Sequence, residues 1–158
     1  MRVSPVPVDP ATLALLPGTL VSDAYRLTVE GIALDARTAA MRAFSRAPKW
    51  IGGLMALRNC LVGPLGLKTS VSGPTAARDR IGFFPVISET PGRVVLGLDD
   101  KHLDFRIAVD VVPAGSRQQI TTTTLVRPHN LLGRVYLAAV LPFHRVIVPA
   151  MLGQAASR

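Results

Sequence analysis

Residues 127–152, RPHNLLGRVYLAAVLPFHRVIVPAML, are the most apolar stretch of the chain. Such a segment has three destinations: a membrane, a buried core, or the wall of a binding site. Pro128 disfavours helix before it and Asn130 is a good N-cap, so the pattern predicts a helix from Leu131 to about Leu152. A membrane span needs about 18 or more apolar residues with few or no charges. Arg134, His144 and Arg145 interrupt this run, and its longest uncharged piece is Val135 to Phe143. The expectation is therefore no membrane span. At about 100° per residue, Arg134 and Arg145 fall within about 20° of one another. Val135, Tyr136, Ala139, Val140, Phe143, Val146, Ile147, Ala150 and Met151 fill most of the remaining circumference. One narrow polar stripe predicts a helix that is nearly enclosed by a broad apolar partner. Pro142 removes a backbone donor and predicts a kink.

The broad partner is a sheet. LVSDAYRLTVEG alternates, with Val21, Tyr25, Leu27 and Val29 on one face and Ser22, Arg26, Thr28 and Glu30 on the other. LDARTAAMRAF then changes to helical spacing behind Asp35, a plausible N-cap. Pro48 suits the first turn of a second helix, Lys49 to about Val62. LKTSVSGPTAARDR is polar, with Gly73-Pro74, and reads as a mobile loop. From residue 81 the chain reads as an antiparallel meander. IGFFPVISET is broken or bulged near Pro85, and VVLGLD follows it. HLDFRIAVDVV and the β-branched QQITTTTLVR close the sheet.

The 158 residues, 49% apolar and 18% charged, predict a single folded domain with its core at about 15–153. The lead-in 1–14 and the tail 154–158 are expected to be flexible. The lone Cys60 cannot form an internal disulfide. No CxxC or Cys/His cluster offers a zinc site or dithiol pair, so no metal is expected. The net charge of +8 raises nucleic acid as a partner. However, the basic residues are scattered, 15 of the 18 are arginine, and aromatics are only 5%. A stacking platform needs aromatics among the cations. A solvated basic surface is expected, with no nucleic-acid partner. Pro5, Pro7, Asp9 and Pro10 stand where the apolar part of a signal peptide would run, so a cytoplasmic location is expected.

Strand, two short helices, meander and one long helix make an α+β order. It fits a helix-grip fold, with an antiparallel sheet of five or more strands and a long kinked C-terminal helix on its concave face. That is the architecture of the START and birch-pollen-allergen-like (SRPBCC) superfamily. The run HNLLGRVYLAAVLPFHRVIVPAML, with ETPGRVVLGLDDKHLDFRIAV before it, also resembles a bacterial family of unknown function, DUF2867, over about residues 15–153. The LLGRxY…LPFHR signature carries the resemblance. It implies the fold but no established activity. Members also occur fused to domains resembling short-chain dehydrogenases, which implies a dehydrogenase-like protein partner. This chain has no GxGxxG of its own, and no cofactor is expected.

A kinked helix over a curved sheet, with small residues between them, predicts a cavity for a small, largely apolar or amphipathic molecule. Its candidate contacts are Arg134, Tyr136, His144, Trp50, Phe105 and Thr122. All but Tyr136 have a plainer reading. His144 is a partly buried packing histidine, and Arg134 pairs with an acid or lies in solvent. Trp50 and Phe105 are core, and Thr122 within TTTT reflects strand preference. His102 and Asp104 share a strand face, but Arg106 and Asp110 share it too, which marks it as wet. An enzyme of the cyclase, dehydratase or hydrolase kind is the alternative, with His144 acting beside Arg134 or Tyr136. A docking subunit is the third class. Polar side chains pointing into a closed cavity favour the first two classes, and a solid interior favours the third.

Overall fold

The computed structural model describes residues 2–46, 49, 79–82, 84–100 and 102–157. The predicted second helix, the glycine-proline loop up to residue 78, Trp50 and Cys60 lie outside the described residues, Lys49 excepted. The elements run β1 (Val3–Val6), α1 (Pro10–Leu13), β2 (Val21–Glu30), α2 (Ala36–Phe44), β3 (Arg80–Ile81) and β4 (Phe84–Thr90). They continue with β5 (Arg93–Asp99), β6 (Leu103–Ala114), β7 (Arg117–Pro128) and α3 (Leu131–Gly153), ending in a short 3-10 turn, Gln154–Ala156. The architecture is α+β: a seven-stranded sheet ordered β1-β2-β7-β6-β5-β4-β3, antiparallel at every junction, with a long C-terminal helix.

Alternation sorts the sheet into two faces. The inner face carries Leu27 and Val29 from β2, Ile120 from β7, Val109 and Val111 from β6, and Val94 and Leu96 from β5. The alanine face of α2 (Ala36, Ala39, Ala40, Ala43) and the end of α3 (Met151, Leu152) cover this row. Alanine lets the helix approach the sheet closely, and each buried Leu, Ile or Val contributes roughly 1.5–3 kcal/mol. Asp35 caps α2, accepting from the backbone N–H of Thr38 at 2.7 Å. Hydrogen bonding from Thr38, its side chain first and its backbone N–H second, holds the Asp35 carboxyl below the usual range. The break expected near Pro85 falls at Gly82, between β3 and β4, and a register shift follows between Val86 and Ser88.

The lead-in expected to lie outside the core is built into the sheet. Val3 pairs with Leu27 and Val6 with Ala24, making β1 an edge strand. Asp9 accepts from Ala11 N and starts α1, after which the chain crosses the outer face. There Thr12 Oγ1 accepts from Arg93 Nη2 at 2.8 Å, and the Pro17 carbonyl accepts from Arg127 Nη1 at 2.7 Å. Leu16 is buried, as are Ala24, Val95, Ala108 and Leu125 on the outer rows. Both faces of the sheet are therefore partly covered. A strand with one wet face, as β2 reads by itself, is half of the arrangement.

The long helix departs from expectation in one respect. Asn130 caps it through Gly133 N at 2.9 Å, as the pattern predicts, and Pro142 and Pro149 lie inside it. Only Gly133, Leu137, Val148, Met151 and Leu152 are buried, however, and the described residues do not enclose the helix. Leu131, Val135, Phe143 and Val146 are exposed. Apolar periodicity around a helix reports what its residues are; it cannot report how wide a partner covers them.

Candidate functional site

The first half of α3 sits over β2, β6 and β7 through a small cluster, Leu103, Val126 and Leu137, with Val21, Tyr136 and Leu141 packed against it. Beside this cluster a cleft of about 70 Å³ opens between helix and sheet. Its walls are Val21 and Val126, partners in the β2–β7 register, and Leu137, Val140 and Leu141 of the helix. Two polar residues of the sheet enter it as direct neighbours, Asp23 of β2 opposite Thr124 of β7. His144 comes down from the helix to meet them.

His144 Nε2 lies 3.0 Å from Asp23 Oδ2 and 3.2 Å from Oδ1. Both side chains are mostly withdrawn from water, 20% and 25% exposed, in a cleft whose other walls, Thr124 apart, are apolar. In the tautomer that the contact favours, Nε2–H donates to the carboxylate and Nδ1 carries the lone pair. The same arrangement orients a general base in many hydrolytic sites. Tyr25, two residues along the same face, has its hydroxyl held above its ordinary value. Burial is the main cause, the Asp23 charge adds to it, and Arg145 opposes it.

Of the predicted site residues, the structure brings only His144 into the cleft. Arg134 is exposed on α3 and lines nothing there, because it precedes His144 by about 15 Å along the helix axis, beyond the end of the cleft. Tyr136 is half-buried against the Leu103 cluster. Phe105 is packed against both core clusters, with its ring edge-on to Phe84 at 5.8 Å. Thr122 is on the inner face and buried, and its hydroxyl has no hydrogen-bond partner among the described residues. Trp50 lies outside the described residues. Asp23 was missed, although the alternation of Val21, Tyr25 and Leu27 already puts position 23 on the inner row. A carboxylate on an apolar row is the signal that could have found it.

The wet face expected at His102 and Asp104 carries a network instead. Asp104 is buried, not wet: it accepts from Arg127 Nη2 at 2.6 Å and contacts His129 Nε2 at 2.9 Å. Burial raises its pKa, but the hydrogen bonds from Arg127 and His129 outweigh burial and hold it below the usual carboxylate range. His102 instead accepts at Nδ1 from Asn130 Nδ2, 3.0 Å away. Asn130 therefore caps α3 and fixes the β5–β6 turn with one side chain. These contacts join helix to sheet and read as architecture. Among the described residues no group of three or more His, Cys, Asp or Glu side chains is placed to hold a metal ion.

A family model described as a protein of unknown function, DUF2867, matches residues 15–151, and the chain belongs to that family. No curated protein matches it.

Proposed function

We propose, taking membership of this family of unknown function as the premise, that the chain binds a small amphipathic molecule in the cleft between α3 and β2–β7. The observation that carries the reading is the His144–Asp23 pair set in a cleft whose other walls, Thr124 apart, are apolar. Apolar residues of similar volume at these two positions would close the interface without the cost of withdrawing charge from water. A polar pair there supplies what an apolar plug does not: a donor and acceptor for a ligand head group. The helix-grip resemblance supports the same position, between the long helix and the concave face of the sheet, by analogy of fold. Drug-sized ligands occupy about 300–1,000 Å³. At about 70 Å³ the cleft takes only the end of a short chain or ring. The ligand is therefore small, or leaves most of its length at the mouth.

Ligand-observed NMR with primary alcohols of increasing chain length tests this. Contacts should be strongest at the carbinol end of the alcohol, Val140→Trp should abolish them, and His144→Ala should weaken binding about tenfold, the scale of one hydrogen bond near 1.4 kcal/mol. No saturable transfer to any alcohol would overturn the proposal. The same pair favours a second reading, acid–base catalysis with His144 accepting a proton at Nδ1 and Asp23 holding the ring. Turnover of an ester or hydratable substrate that His144→Gln and Asp23→Asn both remove would establish it.

A further inference from the structure

The outer side of α3, away from the cleft, carries a second surface. Leu131, Val135, Phe143 and Val146 are 76%, 59%, 50% and 61% exposed. At about 100° per residue Leu131, Val135 and Val146 share an arc of about 60°, with Phe143 about 60° further round. Arg134 and Arg145 lie together along the opposite edge of this arc, and both are exposed. The helix contains no Asp or Glu. By length and composition it suffices to cross a membrane, yet both of its ends are fastened to the sheet. Gly133 packs under the His102 carbonyl at one end, and Met151 and Leu152 are core at the other. A helix pinned at both ends lies flat, with its apolar arc facing outward along its length.

We infer that this face of α3 docks the protein on an anionic lipid surface, with the apolar arc in the headgroup–acyl boundary and Arg134 and Arg145 among the lipid phosphates. Helices that lie in an interface combine such an arc with flanking cations whose stems reach along it. Charge selects the occupant. Every one of the ten carboxylates is already engaged. Asp23, Glu30, Asp79, Glu89, Asp99, Asp104 and Asp110 are in ion pairs, Asp9 and Asp35 are in helix caps, and Asp100 has its own interaction. A second copy docked helix to helix would bring arginine against arginine with no uncommitted acid to neutralise them. Anionic headgroups supply that charge, and the net charge of +8 attracts the whole molecule toward them.

Co-sedimentation of the full chain with vesicles provides the test. Wild type should bind vesicles of equimolar phosphatidylglycerol and phosphatidylcholine, fail to bind pure phosphatidylcholine, and release as salt rises. Paired Arg134→Gln and Arg145→Gln should weaken partition about 25-fold, about fivefold for each charge. Paired Val135→Asp and Val146→Asp should abolish it. The arginine pair is at the surface and keeps the fold, so it decides the matter if the aspartate pair does not fold. Val140→Trp, which blocks the cleft, should leave vesicle binding unchanged. Three outcomes would overturn the inference: no binding to anionic vesicles, equal binding to both compositions, or a dimer that the aspartate pair dissociates while wild type ignores lipid.

Discussion

The backbone of Gly133, in the first turn of α3, lies directly against the carbonyl oxygen of His102, in the turn between β5 and β6. A Cβ at 133 would fall inside van der Waals contact with that oxygen and stand 3.3 Å from Pro128 Cβ. Glycine is the only residue that lets the helix start where Asn130 caps it and where Asn130 also grips His102. Exposed mid-helix Gly→Ala changes normally gain up to about 1 kcal/mol. Here Gly133→Ala should instead lose about 1–3 kcal/mol through overpacking. Urea unfolding of the two proteins measures the sign.

Asp104 sets the response of the fold to acid. Its carboxyl is held below its ordinary value in the folded chain. Above about pH 4, near the unfolded aspartate value, its stabilising contribution is complete. As pH falls further the unfolded chain takes up the proton first, and the contribution disappears once the folded carboxyl is protonated. Asp104→Asn should therefore cost about 2–3 kcal/mol at neutral pH, discounted because Arg127 is partly exposed. The difference from wild type should shrink steadily below pH 4 in a series of thermal melts. A gap that stays constant with pH would remove Asp104 from the acid limb.

Thr122 places a buried hydroxyl on the inner face without a hydrogen-bond partner among the described residues. Thr122→Val keeps the branched shape and the strand preference and removes that polar group. It should raise stability by about 1 kcal/mol. A loss of similar size in calorimetry would mean that the hydroxyl is satisfied in solution.

Local rules were legible, and long-range coverage was not. Asp35 and Asn130 announced the starts of α2 and α3, and the alternating rows of β2 and β6 appear on the expected faces. The family signature was visible in LLGRxY…LPFHR. Each of these depends on neighbours within a few residues. What covers a face depends on residues distant in sequence. Nothing local in Pro5, Pro7 and Pro10 says that the lead-in pairs with β2 and then crosses the outer face. Nothing in Val135 and Val146 says that the other described residues leave them exposed. At the candidate site, His144 was legible because it interrupts an apolar run. Its partner Asp23 was hidden in a strand that also carries polar residues on its other face.

The order of the strands also fixes when this sheet can be completed. β2 finishes at Glu30, and its pairing partner begins at Arg117, opposite it in the register. A ribosome adding about 5–20 residues each second takes roughly 4–17 s to make the chain between them. During that interval β2 has only β1 on one edge, while the meander from β4 to β6 pairs locally as it emerges. Synthesis of β7 joins the two halves, and α3 follows to cover the junction. A nascent or truncated chain ending before residue 117 therefore carries an unpaired β2 edge, the surface on which chaperones and self-association compete.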